Sequence, residues 1–318
     1  MTYYAKGKAF TKNYTQNNLD LMNHKIKLNF VNFDGGFEKC PLEENRFYQI
    51  LNKFFNIEIS NSPDFIIYLG SNNKRYLDYN CTRIVFENEY EEPNFALCDY
   101  AMTFSYLDDP RHLRLPYYFY FTDGSDLIKN EKPEKILAEK KKFCNFVFSN
   151  SSRRAQFRVT FLKELLQKKH VDCGGKILNN MDKLVEDKVA FCKDYKFTIA
   201  MENKSRVGYT TEKILHAMQA RSIPIYWGNL AINDEFNPKS FINVQKFANT
   251  DAAIAHILDV DRHDDLYLEY AKEPYFYNNE PNEYLSAERV ASFFDRVFTY
   301  PAKKRLFFPI RKVWDKVL

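Results

Sequence analysis

The sequence predicts an α/β protein with two domains, each built around a mostly parallel sheet. Short apolar runs typical of strands alternate with segments of helical spacing, and this order is typical of parallel sheets. A charge-rich stretch with few apolar residues, at 126–142, interrupts the alternation. Such a stretch is typical of a domain boundary. We therefore predict a first domain over residues 1–134 and a second over 135–318. The chain of 318 residues is long enough for two cores of ordinary size.

The first domain begins with alternating strand-like runs separated by polar turns. We predict strands at 25–33, 64–69 and 83–86, and a helix at 43–55. Within the boundary stretch, part of 126–142 could form an exposed helix.

The second domain repeats the alternation and then becomes helical. We predict strands at 143–148, 197–201 and 223–227, and helices at 211–220, 252–258, 266–272 and 287–298. Thr250 or Asp251 is expected to cap the helix at 252–258, and Ser286 the last helix.

Polar residues concentrate in the turn between the strand at 197–201 and the helix at 211–220. A βαβ unit binds ligands at the carboxyl end of its strand, and the start of the helix favours phosphate. Lys213 would add a cation there, and Glu212 could accept hydrogen bonds from two ribose hydroxyls. The same spacing also fits a surface helix capped by Thr210 or Thr211, with its charges in water. Spacing alone leaves both interpretations open.

The motif E-N-x₅-Y-x-T-E-K at 202–213 is followed by PIYWG at 224–228 and NPKSFINV at 237–244. These blocks, in this order, resemble the donor-binding signature of the α-1,3/4-fucosyltransferases, glycosyltransferase family 10. The resemblance places Asn203, Tyr209, Glu212 and Lys213 in a nucleotide-sugar pocket. It also implies two Rossmann-like domains facing each other across a cleft, the glycosyltransferase-B type, with terminal helices that cross back.

The acidic run at 87–92 precedes Pro93 and holds the candidate catalytic bases. Aligned through PNF at 93–95, it resembles the family block in which the base is a Glu four residues before the Pro, which indicates Glu89. A shift in the loop would instead align Glu87, and Glu91 is the third candidate. A carboxylate can take a proton from a sugar hydroxyl only within hydrogen-bond reach and when partly desolvated.

A second cation for the leaving diphosphate is expected from the segment at 149–161, which follows a strand and opens a helix. It resembles the family's S-N…R-x-x-F block, and the resemblance places Arg158 on the diphosphate. A guanidinium can bind two phosphate oxygens at once. Arg154 is the alternative if the helix begins earlier.

We expect no cofactor and no metal requirement. The chain's single Asp-x-Asp triplet, Asp259 to Asp261, lies beyond a helical segment and far from the donor motif, so we interpret it as a helix-end turn. The six histidines form no pair with ligand spacing. Dinucleotide-binding and P-loop motifs do not occur in the sequence.

The net charge of +4 is mild. Outside the C-terminal tail no basic block is interleaved with aromatic residues, so we predict no nucleic-acid partner. The tail at 303–314 mixes cations with large apolar residues, which predicts either peripheral membrane contact or packing onto the body. Six scattered cysteines and no apolar run of transmembrane length favour a cytoplasmic protein, with peripheral contact at the inner membrane left open.

The resemblance implies an inverting, metal-independent transfer of L-fucose from GDP-β-L-fucose to a GlcNAc hydroxyl of an oligosaccharide acceptor. The α-1,3 (or α-1,4) linkage to a lactosamine-type glycan, giving Lewis-type products, is likewise implied by the resemblance alone. A same-fold transferase with another nucleotide sugar or acceptor, or a non-catalytic binding module, remains the alternative. Acceptor selectivity is expected from loops at 35–37 and 117–121.

Overall fold

The computed structural model describes residues 24–33, 41–70, 73–149 and 155–302. Contacts divide the chain into two compact units, one formed by Met1–Ile84 with Val290–Leu318 and the other by Val85–Arg289. The predicted boundary at 134/135 does not coincide with this division, since residues 85–134 group with the second unit. The boundary between domains therefore stays a prediction.

The described residues form eleven strands and eight α-helices. The strands are β1 (Ile26–Val31), β2 (Ile57–Ile59), β3 (Phe65–Leu69), β4 (Thr82–Phe86), β5 (Tyr100–Thr103), β6 (His112–Arg114), β7 (Lys142–Phe146), β8 (Asp172–Cys173), β9 (Tyr195–Met201), β10 (Ile223–Trp227) and β11 (Ile242–Asn243). The helices are α1 (Arg46–Phe54), α2 (Pro133–Ala138), α3 (Gln156–Leu166), α4 (Lys188–Cys192), α5 (Glu212–Gln219), α6 (Thr250–Arg262), α7 (Asp264–Lys272) and α8 (Ala287–Thr299).

In the first unit, β1 lies between β2 and β3 and is parallel to both. Next to β3 the strand order continues with β4. In the second unit, β5 and β6 form a parallel pair. The aromatic rings of α8 complete the core: Phe298 lies 4.9 Å from Phe65 and 5.1 Å from Phe55, centroid to centroid, and Phe294 lies 6.4 Å from Phe47. The C-terminal helix thus belongs to the N-terminal unit, as the family resemblance implies.

The second unit is built on a five-stranded sheet in the order β11-β10-β9-β7-β8, and its pairs are parallel. The predicted α/β class with parallel sheets is confirmed. The chain goes from β7 to β8 on one side and then returns to place β9 on the other side of β7. Strand order therefore reverses between β7 and β9, and the crevice at the carboxyl ends of such strands is the usual ligand site of an open α/β sheet.

Two predicted helix starts differ from the structure because of caps. Helix α1 begins at Arg46 rather than residue 43, since the Asn45 side chain accepts a hydrogen bond from the backbone N–H of Tyr48 and a 3₁₀ turn precedes it. Helix α6 is capped by Asn249, not by Thr250 or Asp251. The predicted cap of α8 is confirmed, because Ser286 Oγ accepts from the backbone N–H of Arg289 at 3.1 Å.

Across the described parts of the chain, no helix has both the length and the apolar character needed to span a membrane.

Candidate active site

Arg158 and Asn203 meet at the carboxyl ends of β7 and β9. Asn203 follows β9 by two residues, and Arg158 lies in the first turn of α3, the first α-helix after β7. Arg158 Nη1 donates a hydrogen bond to Asn203 Oδ1 at 2.6 Å, and both side chains are buried. Burial lowers the pKa of the guanidinium, and nearby Glu202 opposes that effect. The reversal in strand order thus brings a donor-motif residue onto the arginine predicted for the diphosphate.

Glu202 organises the start of α5 and is fully buried. Its carboxylate accepts hydrogen bonds from the backbone N–H of Thr211 at 2.7 Å and from the Thr211 hydroxyl at 2.8 Å. Lys213 Nζ forms an ion pair with the same carboxylate at 3.0 Å. Thr211 occupies the N-cap position, but its side chain makes no capping hydrogen bond to the helix. The surface helix with its charges in water is therefore excluded.

Lys213 and Glu212 are both charged. Burial opposes protonation of Lys213, but Glu202 and Glu212 raise the pKa of its ammonium above the ordinary value. Burial likewise favours the neutral form of Glu212, but Lys213 and other neighbouring cations lower the pKa of its carboxyl to about 2. The Glu212 side chain is 24% exposed, so this carboxylate can accept hydrogen bonds from a ligand.

Tyr209 connects the loop between β9 and α5, residues 202–211 and here called the donor loop, to the acidic run at 87–92. The buried Tyr209 hydroxyl donates to Glu89 Oε2 at 3.1 Å, and Asn203 Nδ2 donates to Glu89 Oε1 at 3.4 Å. Burial, together with nearby Glu202 and Glu89, raises the pKa of the Tyr209 phenol, so the hydroxyl remains a donor. Glu89 itself is exposed. The structure therefore joins three predicted site residues in one hydrogen-bonded group.

The other two base candidates lie in different surroundings. Glu87 follows β4 and is half-buried, with its backbone N–H donating to Met102 O at 3.0 Å. Burial, and then the charge of Glu91, raises the pKa of its carboxyl to about 7. Glu91 is exposed. Glu89 therefore has the contacts with the donor loop, whereas burial gives Glu87 a pKa near neutrality, and the choice of base stays a prediction.

Comparison with known proteins gives the same family in both halves of the chain. Residues 28–121 match the model of the α-(1,3)-fucosyltransferase FucT N-terminal domain, and residues 137–291 match that of glycosyltransferase family 10 (fucosyltransferase) C-term. A crystal structure of an α1,3-fucosyltransferase is 30% identical, with a TM-score of 0.72 over 87% of this chain and 90% of that one. The chain belongs to glycosyltransferase family 10. Its fold is accordingly of the glycosyltransferase-B type.

Two further proteins are similar to this family 10 chain. A crystal structure of an α1,3-fucosyltransferase with GDP-fucose is 29% identical, with a TM-score of 0.71 over 88% of this chain and 92% of that one. The α-(1,3)-fucosyltransferase FucT of Helicobacter pylori is 31% identical over 86% of this chain. The chain spans 66% of that relative's length, and 28% of the length of a putative fucosyltransferase of Acanthamoeba polyphaga mimivirus.

The structure of this family 10 chain contains a buried polar network next to Tyr209 that the sequence did not predict. Arg114 forms an ion pair with Glu235, and Asn229 Nδ2 donates to Glu235 at 2.9 Å and to Thr210 Oγ1 at 3.0 Å. Asn229 Oδ1 accepts from the backbone N–H of Gly208 at 2.6 Å. The network therefore binds the loop on both sides of Tyr209. No spacing signal could reveal it, since Arg114 and Glu235 are 121 positions apart.

Both aspartates of the Asp-x-Asp triplet form ion pairs with neighbouring side chains. Asp261 pairs with Lys169 and lies 3.6 Å from Lys196 Nζ, and Asp259 lies 3.3 Å from Arg262 Nη2. Within the part of the chain that the structure describes, no group of three or more His, Cys, Asp or Glu residues is arranged to hold a metal.

Three sequence predictions concern residues outside the described ranges: Arg154 as the alternative cation, the loop at 35–37, and membrane contact by the tail at 303–314. The other acceptor-loop candidate, Tyr117–Phe121, forms a 3₁₀ turn in which Tyr117, Tyr118 and Phe119 are buried.

Proposed function

We propose that this glycosyltransferase moves L-fucose from GDP-β-L-fucose to a GlcNAc hydroxyl of a lactosamine-type glycan, with inversion and without a metal ion. The observation that carries the proposal is the shared contact of Tyr209 and Asn203 with Glu89. This contact joins the donor loop to a carboxylate of the acidic run. The similarity to an α1,3-fucosyltransferase solved with GDP-fucose supports the choice of donor.

On the donor side, Arg158 and Lys213 are the cations assigned to the diphosphate. Charge grows on the diphosphate as its bond to fucose breaks, and fixed cations stabilise that charge in the transition state. Both cations are already held in place by protein groups, Arg158 by Asn203 and Lys213 by Glu202. The ionised, partly exposed Glu212 accepts hydrogen bonds from the ribose hydroxyls.

On the acceptor side, the hydroxyl oxygen attacks the anomeric carbon as the bond to GDP breaks, and GDP leaves with the bonding electron pair. The acceptor proton passes to Glu89, or to Glu87 in the alternative assignment. A single displacement of this kind inverts the anomeric centre, from the β-linked donor to an α-linked product. A placed carboxylate base contributes on the order of 10²–10⁴-fold to such a step.

We also propose that the reaction needs no metal. Asp259 and Asp261, the residues of the Asp-x-Asp triplet, already pair with cationic side chains. Two protein cations and the start of α5 can take the charge that a divalent ion would otherwise neutralise.

The first test is incubation with GDP-fucose and a panel of lactose, N-acetyllactosamine and its β-1,3 isomer, with linkage analysis of the product. We expect an α-1,3 product on N-acetyllactosamine. Turnover with a different nucleotide sugar and none with GDP-fucose would refute the proposal that GDP-fucose is the donor. An α-1,4 product alone would refute the proposed α-1,3 linkage. Binding of GDP-fucose without any transfer would favour the non-catalytic module.

The second test compares Glu89→Gln, Glu87→Gln and Glu91→Gln, three changes of the same size and charge within one acidic run. We expect Glu89→Gln to lower kcat by about 10²-fold or more and Glu91→Gln to leave it nearly unchanged. A loss that follows Glu87→Gln while Glu89→Gln keeps normal turnover and folding would transfer the role to Glu87.

A further inference from the structure

Lys188 lies among the charged groups of the donor site, although the sequence motifs do not include it. It is the first residue of α4, is half-buried, and its Nζ lies 4.8 Å from the ring centroid of Phe148. Arg158 Cζ lies 4.3 Å from the same centroid. Two cations therefore lie against the ring of Phe148, two residues after the end of β7.

The charge of Lys188 acts on the same side chains as the assigned donor cations. It contributes to the lowered pKa of Glu212, and the charges of Lys213 and Arg158 act on Lys188 in turn. Burial is the main cause of the lowered pKa of the Lys188 ammonium, and these two cations add to it. Lys188, Lys213 and Arg158 thus form one cluster of positive charge around Glu212.

Lys188 differs from the other two cations in its contacts. Lys213 is bound by Glu202 and Thr211, and Arg158 by Asn203. Among the residues that the structure describes, no hydrogen-bond acceptor or ion-pair partner contacts Lys188 Nζ, and Phe148 provides only its ring face. An ammonium has three N–H donors, and leaving them unmatched in a half-buried place is unfavourable. A ligand with several anionic oxygens would satisfy them.

We propose that Lys188 is a third cation for the nucleotide-sugar diphosphate, acting beside Arg158 and Lys213. This inference rests on the proposed function, because it takes the ligand of the cluster to be a nucleoside diphosphate. Lys213 is bound to Glu202 and Glu212, so part of its charge is already neutralised. Lys188 supplies a positive charge that no carboxylate in the described ranges contacts.

The test measures GDP and guanosine binding to the full chain by calorimetry, with wild type, Lys188→Met and Lys188→Arg. The matched control is Lys193→Met, which removes the same charge from an exposed lysine just after α4. We expect Lys188→Met to weaken GDP binding about tenfold and to leave guanosine binding unchanged. Lys188→Arg should retain most of the affinity, and Lys193→Met should match wild type.

Thermal unfolding separates a ligand role from a structural one. Because no acceptor in the described part of the chain contacts this ammonium, its removal should leave the unfolding midpoint of Lys188→Met at or above that of wild type. If Lys188→Met does not fold, Lys188→Gln is measured in the same way. GDP affinity within about twofold of wild type, or an equal loss for GDP and guanosine, would refute the role of Lys188.

The wild-type result separates this inference from the proposed function. If wild type binds GDP and Lys188→Met binds it equally well, the inference fails and the proposed donor stands. If wild type binds UDP but not GDP, the proposed donor fails, and the same variants measured with UDP decide the role of Lys188. If wild type binds no nucleoside diphosphate, both are refuted.

Discussion

At the scale of single residues, two glutamates of the acidic run each show one property expected of a catalytic base. Glu89 lies next to the donor-motif residues, since Tyr209 and Asn203 both donate hydrogen bonds to it. Glu87 has the suitable pKa, about 7, because it is half-buried at the end of β4. The family resemblance predicted both candidates, Glu89 from the alignment through Pro93 and Glu87 from a shift in the loop. The sequence could not separate them, because the side chains that donate to Glu89 are more than 100 positions away from it.

Glu87 also makes stability depend on pH. Its folded-state pKa, about 7, lies above the ordinary value of 4.5, so the folded state binds this proton more tightly than the unfolded chain. The stabilisation is fully present below about pH 4.5 and is lost as the pH rises through 7. Glu87→Gln keeps the neutral form, so at pH 8 the variant should be more stable than wild type by on the order of 2 kcal/mol.

Urea unfolding of wild type and Glu87→Gln between pH 5 and pH 8 measures this difference. Glu134→Gln, at an exposed position in α2, is the control and should show no pH-dependent gain. A Glu87→Gln variant that is less stable than wild type at pH 8 would mean that ionised Glu87 makes a stabilising contact.

Glu202 shows what residue-level reasoning from the sequence left out. The motif predicted a ligand site, and Asn203, Tyr209, Glu212 and Lys213 do surround the start of α5. Glu202 itself is fully buried and binds both Thr211 and Lys213. It is therefore a structural counter-ion of the site. A sequence gives the carboxylate but not its burial, so this role could not be predicted from the pattern.

At the scale of elements, the segment between β9 and α5 is fixed at its centre. Gly208 has φ of +85°, a conformation that favours glycine, and its backbone N–H and C=O bind Asn229 and Arg114. A Cβ at this position would lie 2.3 Å from the backbone oxygen of Phe104. The added Cβ and the Phe104 oxygen are both fixed to the backbone, so relieving this contact requires the backbone to move. Such a movement would also shift Tyr209, which is the next residue.

Gly208→Ala should therefore disturb both folding and donor binding. We expect a loss of about 2 kcal/mol or more in the free energy of unfolding, from the left-handed backbone together with the close contact. GDP affinity should also fall, because Tyr209 and Asn203 lie on this segment. Urea unfolding and calorimetry measure the two effects, and Val207→Ala, an exposed neighbour, is the matched control. Wild-type values for Gly208→Ala would show that the segment adapts without cost.

At the scale of the whole molecule, strand order decides which residues meet. The sequence predicted the longer strands and the helices on either side of the donor motif. It did not predict β2, β5, β6, β8 or β11, which have two to four residues each and are too short for an apolar pattern. The order β11-β10-β9-β7-β8 depends on pairing between distant segments. That order, rather than any local pattern, puts Arg158 beside Asn203.

Donor binding should stabilise the whole second unit, because the proposed donor contacts come from segments after β7 and β9 and from α5. A ligand that binds only the folded state at 100 times its Kd stabilises it by about 2.7 kcal/mol. We expect GDP at that excess to raise the unfolding midpoint, with guanosine less effective at equal concentration. Excess EDTA should leave the GDP effect unchanged, because the proposed donor site takes its positive charge from Arg158, Lys188 and Lys213. A GDP effect that disappears with EDTA and returns with Mg²⁺ or Mn²⁺ would refute metal independence.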